Sequence, residues 1–215
     1  KPQLAELSID ASTELPYSDY TRTLDIDNAI HTVMYKENGI TFKREYFMRY
    51  PDNVMVMRLT SDSKKGKLSR IISLESLHTD KTITADGHTI TMTGYPTPVS
   101  GDKRIGDAWK NGLKYAQQLV VKNKGGKISV VDGTKLKVED ADEIIVLMSA
   151  ATNYVQCMDD SYNYFSQEDP LEKVQATLHK VADKKYTALL ATHQKDYHSL
   201  YDLSLIHISE PTRQE

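Results

Sequence analysis

The 215-residue chain holds one cysteine, Cys157, one tryptophan, Trp109, and three phenylalanines. A lone cysteine excludes an internal disulfide and any cysteine-based metal site, so it carries no information on redox compartment. With no activating neighbour specified, Cys157 reads as a small buried apolar side chain rather than a nucleophile. No run approaches the roughly 20 apolar residues of a membrane-spanning helix, so no membrane span is expected. No charged-then-apolar leader is visible either. Because the chain opens at Lys1 in KPQLAELSID, which already reads as strand, that absence leaves the compartment open. An excess of one charge is also missing. The 27 Lys and Arg residues against 30 Asp and Glu give a formal net charge of −3, with the signs interspersed. There is no basic stripe to neutralise phosphates, so nucleic acid is not an expected partner.

What is present from Leu4 to about Ala150 is a series of short β-prone runs separated by turn residues, without the longer helical periods of a βαβ fold. The pattern predicts a mainly β protein, an antiparallel β-sandwich over 1–168. In IHTVMYKENGITFKREYF, Val33 and Tyr35 alternate with polar residues, Asn38-Gly39 supplies a tight turn, and Ile40, Phe42 and Tyr46 continue on the return strand. VMVMRL (Val54 to Leu59) and Leu68 to Leu74 are further strands. Asp86-Gly87 marks a second hairpin. Tyr95 to Gly112 reads as a long loop. Strands resume at Leu113 to Val121, Lys127 to Val131 and Glu143 to Met148, with Gly125-Gly126 and Asp132-Gly133 as turns.

The character changes at Asp169. A capping carboxylate, a proline suited to the first turn and a glutamate three positions after the cap predict a helix start. Leu171, Val174, Leu178 and Val181 then form one apolar stripe. KYTALLATHQKDYHSLYD is a second helix, with Tyr186, Leu189, Leu190, His193, Tyr197 and Leu200 on one side. The segment 169–202 thus reads as a helical linker, and 203–215 as a tail that fits neither unit.

No constellation stands out as a catalytic site, and none calls for a metal or a cofactor. His193 and His198 are five apart, about 140° around a helix, unlike the four-residue spacing of helical zinc ligands. His31, His78, His88 and His179 have no partner constellation. Asp25 with Asp27, and Asp140 with Asp142, read as turn and strand-edge residues; paired carboxylates do serve glycoside hydrolysis, but their separation is a property of the folded site. Gly125-Gly126 lacks the context of a phosphate loop, and Ser149 has no partner base. The substrate-binding candidates are Trp109 and Tyr95, whose rings would either stack on a sugar or anchor the long loop.

Taken in order, these pieces resemble the N-terminal β-sandwich of glycoside hydrolase family 95, the α-L-fucosidases. The resemblance rests on YTRTLDIDNAIHTVMY, GITFKREYFMRYPDNVMVMRL, YAQQLVVKNKGGKI, ADEIIVLMSAATNY and Asp169-Pro170 with YTALLATHQKDYHSLY. It implies a parent enzyme acting on fucosylated glycans, in which an (α/α)6 barrel carries the acid and the water-activating residues, with inversion as the expected mechanism. The chain's partner would then be its own catalytic barrel, the fragment would be inactive, and a periplasmic or secreted parent would be expected. No catalytic residue of the family falls within this sequence. LSLIHISEPTR (Leu203 to Arg213) resembles a translated sequencing adapter. The alternatives are a stand-alone carbohydrate-binding sandwich using Trp109 and Tyr95, or an interaction module whose stripe of Leu171, Val174, Leu178 and Val181 is exposed.

Overall fold

The computed structural model describes residues 5–11, 16–63, 68–96, 112–155 and 165–208. Two antiparallel sheets face each other, as the alternating strand pattern demands. The first is eight-stranded, in the order β2 (Tyr17–Asp25), β3 (Ile30–Glu37), β4 (Ile40–Arg49), β5 (Val54–Ser61), β12 (Glu143–Thr152), β9 (Tyr115–Lys124), β8 (Thr89–Gly94) and β7 (Lys81–Asp86). The second is four-stranded, in the order β1 (Glu6–Ala11), β6 (Leu68–Glu75), β11 (Lys135–Ala141) and β10 (Lys127–Val131).

The hairpins follow their turn chemistry. Asn38 and Gly39 both take positive φ, 50° and 76°, and the flanking Glu37 and Ile40 pair directly. Asp86-Gly87 joins β7 to β8, and Asp132-Gly133 joins β10 to β11. Between β2 and β3, the Asp25 carboxylate accepts from the backbone N–H groups of Asp27 and Asn28 at 3.0 and 3.1 Å, so the turn is held by its first residue.

The core has two compartments because the centre of the large sheet is covered on both sides. Successive residues of a strand point to opposite faces. On β12, Ile144 and Val146 join the compartment between the sheets, with Met57, Leu59, Ile72, Leu119 and Leu136. Ile145 and Leu147 join a second compartment on the outer face, with Phe47, Val54 and Val56.

That outer compartment is closed by two helices, α1 (Pro170–His179) and α2 (Tyr186–Ile208). The Asp169 carboxylate caps α1, accepting from the Leu171 N–H at 3.0 Å. Val174, Leu178 and Val181 are buried against the sheet with Tyr186 and Leu189. The stripe is therefore occupied by the chain's own sheet, which overturns the interaction-module expectation. Lys122 on β9 fastens the junction, its ammonium donating to the carbonyls of Ala182 and Lys184 at 2.5 and 3.0 Å. On α2 the expected buried side ends early: Tyr186, Leu189 and His193 are buried, whereas Leu200 is exposed. Residues 203–208 continue α2. Cys157, and residues 209–215 of the tail, lie outside the described residues.

Candidate functional site

Of the two residues expected to stack on a sugar, Trp109 lies outside the described residues. Tyr95 is half-buried just after β8, its backbone N–H donating to the Asp80 carbonyl at 3.0 Å. The histidines are dispersed. His193 stacks on Phe47 at 4.7 Å and its Nε2 lies 3.1 Å from the Ala29 carbonyl, which ties α2 to the β2–β3 turn. His198 pairs with Asp202 at 3.1 Å, and His78 is buried against the Tyr115 ring at 5.6 Å. Among the described residues no group of three or more His, Cys, Asp or Glu is placed to hold a metal ion. The Ser149 hydroxyl donates to the Asn53 carbonyl at 3.1 Å.

Two carboxylates do meet on the outer face, although not those singled out by sequence. Arg58 on β5 lies directly opposite Glu45 on β4 and diagonal to Glu143 on β12. Its guanidinium reaches Glu143 Oε2 through Nε at 2.6 Å and Glu45 Oε2 through Nη1 at 3.5 Å, while Lys43 holds the other Glu45 oxygen at 2.8 Å. The Tyr186 ring lies over this guanidinium at 4.6 Å. Acid–base work on a glycoside needs free carboxyl oxygens with a sugar or water between them. Here the arginine and lysine occupy both oxygens of Glu45 and Oε2 of Glu143. The cluster is an electrostatic strut that seats the start of α2 on the sheet.

Burial pushes the Tyr186 hydroxyl up to about 12, helped by the charge of Glu45 and partly offset by Arg58. In the unfolded chain it ionises near the ordinary value of 10.0. Between those values the unfolded chain has lost this proton and the folded protein has not, so the contribution of Tyr186 is complete below pH 10 and is lost as pH rises towards 12. Urea unfolding across this window should show a steeper alkaline loss of stability for the wild type than for Tyr186→Phe. Equal slopes would refute the assignment.

A third arrangement lies where the four-stranded sheet leaves the large sheet's inner face open. Register places Phe42, Arg44 and Tyr46 of β4 on that face, opposite Tyr35, Val33 and His31 of β3. Arg22 and Leu24 of β2 extend the same rows. Tyr35 stacks on Phe42 at 5.5 Å, and the His31 ring lies tilted against Tyr46 at 5.3 Å. A bulge between Ser18 and Thr21, with Asp19 at φ 52°, brings Tyr20 to 6.1 Å from Tyr17, which meets the Tyr35 ring edge-on at 6.3 Å. On the sequence, Phe42 and Tyr46 read only as residues of the return strand. The available signal was Arg44, a cation at an apolar-face position between them.

A depression lined by Ala5, Glu6, Glu75, Ser76 and Leu77 holds about 110 Å³, below the roughly 300 Å³ at the low end of ligand pockets.

Comparison with known proteins gives this architecture a family. "Probable alpha-fucosidase A" of Aspergillus niger is 27% identical over 97% of this chain and 26% of its own length. "Alpha-L-fucosidase 2" of Arabidopsis thaliana is 31% identical over 92% of this chain and 24% of its own length. The chain thus spans about a quarter of these curated relatives. A solved structure described as "Putative kojibiose phosphorylase from human microbiome" superposes with a TM-score of 0.56 at 11% identity, covering 93% of this chain and 28% of that one, which shows a shared fold. The profile described as "Glycosyl hydrolase family 65, N-terminal domain" matches residues 2–157. The expected N-terminal sandwich of a glycoside hydrolase is therefore correct, and the family to which the chain belongs is the glycosyl hydrolase family 65 N-terminal domain.

Proposed function

We propose that this chain is the N-terminal sandwich of an α-L-fucosidase of the family 95 kind, whose catalytic acid and base stand in another part of the protein. The observation that carries the reading is the identity of 27% and 31% to two proteins named as fucosidases, sustained over nearly the whole chain. The engagement of both Glu45 oxygens and of Glu143 Oε2 by Lys43 and Arg58 agrees with it. The parent would remove fucose from glycans, and the sandwich would support its catalytic domain.

The supporting surface lies at one end of the large sheet. Ile26 in the β2–β3 turn, Met48 and Tyr50 at the end of β4, and Leu200 and Leu203 on α2 all project large apolar side chains into solvent, with Tyr50 86% exposed. The Tyr197 hydroxyl donates to the Ile26 carbonyl at 2.6 Å, which brings α2 to this end. Exposed apolar side chains gathered in one place mark a contact surface. Its occupant in this reading is the catalytic domain.

The test is release of fucose from an aryl fucoside and a fucosylated oligosaccharide by the parent enzyme and by this chain. Activity of the parent alone is the expected result; turnover by the purified chain would sink the reading. Met48→Asp with Tyr50→Asp should leave the melting of the isolated chain within a few degrees of wild type, since both residues are exposed, yet lower the melting temperature of the parent. Equal melting of parent and variant would remove the docking surface from the proposal.

A further inference from the structure

We propose that the inner face of β2, β3 and β4 binds an acidic saccharide, one whose sugar rings carry a carboxylate or a sulfate ester. The proposal concerns binding rather than hydrolysis and does not depend on the fucosidase reading.

Its basis is a pair of guanidinium groups without a counter-ion. Arg70 on β6 is only 5% exposed. Its Nη2 donates to the Tyr35 hydroxyl oxygen at 3.3 Å, its Nη1 to the Ser69 carbonyl at 2.8 Å, and its charge lies 5.3 Å from the Phe42 ring centre. Arg44 donates to the same Tyr35 oxygen, also at 3.3 Å, and sits 5.5 Å from the Tyr35 ring centre. The Nε of each arginine is buried without a partner. Among the described residues neither cation meets a carboxylate. Arg49 and Arg58, in contrast, are paired with Asp52 and Glu143. Two cations converging on one neutral phenol repel each other, and burial removes the water that would screen them. An anion arriving at this face relieves both penalties.

The surroundings select what carries the anion. Arg22 is exposed, and stands one strand beyond Val33 in the row that contains Arg44, so a third cation extends the face towards solvent. Asp19 on β2 is taken by Lys36 at 2.9 Å. Glu37 shares the face, but lies across the strand pair from Tyr17 and makes no ion pair with either arginine. Tyr17 and Tyr20 are 67% and 54% exposed and lead from solvent to Tyr35. Guanidinium groups donate paired N–H bonds to the oxygens of a planar carboxylate or a tetrahedral sulfate, and tyrosine rings offer an apolar face to the C–H side of a sugar. Cations and stacking rings together fit a charged sugar better than a free anion.

Calorimetric titration of the full chain with a galacturonic acid oligomer, a sulfated galactose oligomer and the neutral galactose oligomer tests the proposal. One or both acidic oligomers should bind, more weakly as salt is added, and the neutral one should not; the stronger of the two identifies the acidic group. Arg44→Gln and Arg22→Gln should each lower that affinity by about tenfold, the loss of one charged hydrogen bond. Tyr20→Ala should lower it severalfold. Arg22 and Tyr20 are exposed, so their variants remain folded even if Arg44→Gln does not, and melting curves will show it. The proposal is overturned if neither acidic oligomer binds, if the neutral oligomer binds equally, if Arg22→Gln and Tyr20→Ala bind as wild type, or if duplex DNA competes at equal affinity.

Discussion

Gly126→Ala is expected to destabilise the chain by about 4 kcal/mol, a value in the range reserved for steric damage inside a packed structure. Gly126 has φ +65°, and a methyl group on it meets the Glu139 carbonyl, the Asp140 carbonyl carbon at 2.6 Å and the Ala141 nitrogen at 2.7 Å. All three belong to the backbone of β11, at the irregularity between Val138 and Ala141 where Asp140 also takes positive φ. No rotamer change relieves such a clash. Gly39 gives the control: its φ is +76°, but nothing lies within 4 Å of an added methyl. Gly39→Ala should therefore cost only the left-handed strain, about 1–2 kcal/mol. Urea unfolding of both variants checks the difference; comparable losses would show that the approach of β11 to Gly126 is not tight.

Leu147→Ala should cost about 3 kcal/mol, the usual penalty for a cavity in a core that cannot collapse. Leu147 is wholly buried in the outer compartment, beneath Val174 and Leu178 of α1. The loss should also reach the helix, so amide exchange in α1 should quicken more than in the hairpin of β7 and β8, which lies at the far edge of the sheet. Ile26→Ala, at an exposed position, should stay within about 0.5 kcal/mol of wild type. If Leu147→Ala lowers stability without altering exchange in α1, the helix is not held by this compartment.

The two glycine positions show how far the residues alone reach. Asn38-Gly39 and Gly125-Gly126 look alike as turn signals, and both do turn the chain. The first joins neighbouring strands of one sheet, β3 and β4. The second carries the chain from β9 in the large sheet to β10 in the small one, and that crossing presses Gly126 against β11. Turn chemistry is a property of four consecutive residues, whereas sheet membership depends on which distant strand supplies the partner.

The same division holds for the candidate sites. The capping of α1 by Asp169 and the stripe of Val174, Leu178 and Val181 are legible because both are local and periodic. The run Ile144 to Leu147 is apolar at every position, which belongs to a strand covered on both faces. The meeting of Arg44 with Arg70 on Tyr35, and of Arg58 with Glu45 and Glu143, was beyond sequence reasoning, because each joins residues on different strands. The β2 bulge that aligns Tyr17 and Tyr20 has no residue signature of its own. Sequence by itself determined the class of the fold, its hairpin turns and the start of its helices, since propensity, periodicity and capping act over a few residues. Tertiary structure alone decided which strands share a sheet, which face each helix covers and which charges go unpaired, because those follow from contacts between segments far apart in the chain.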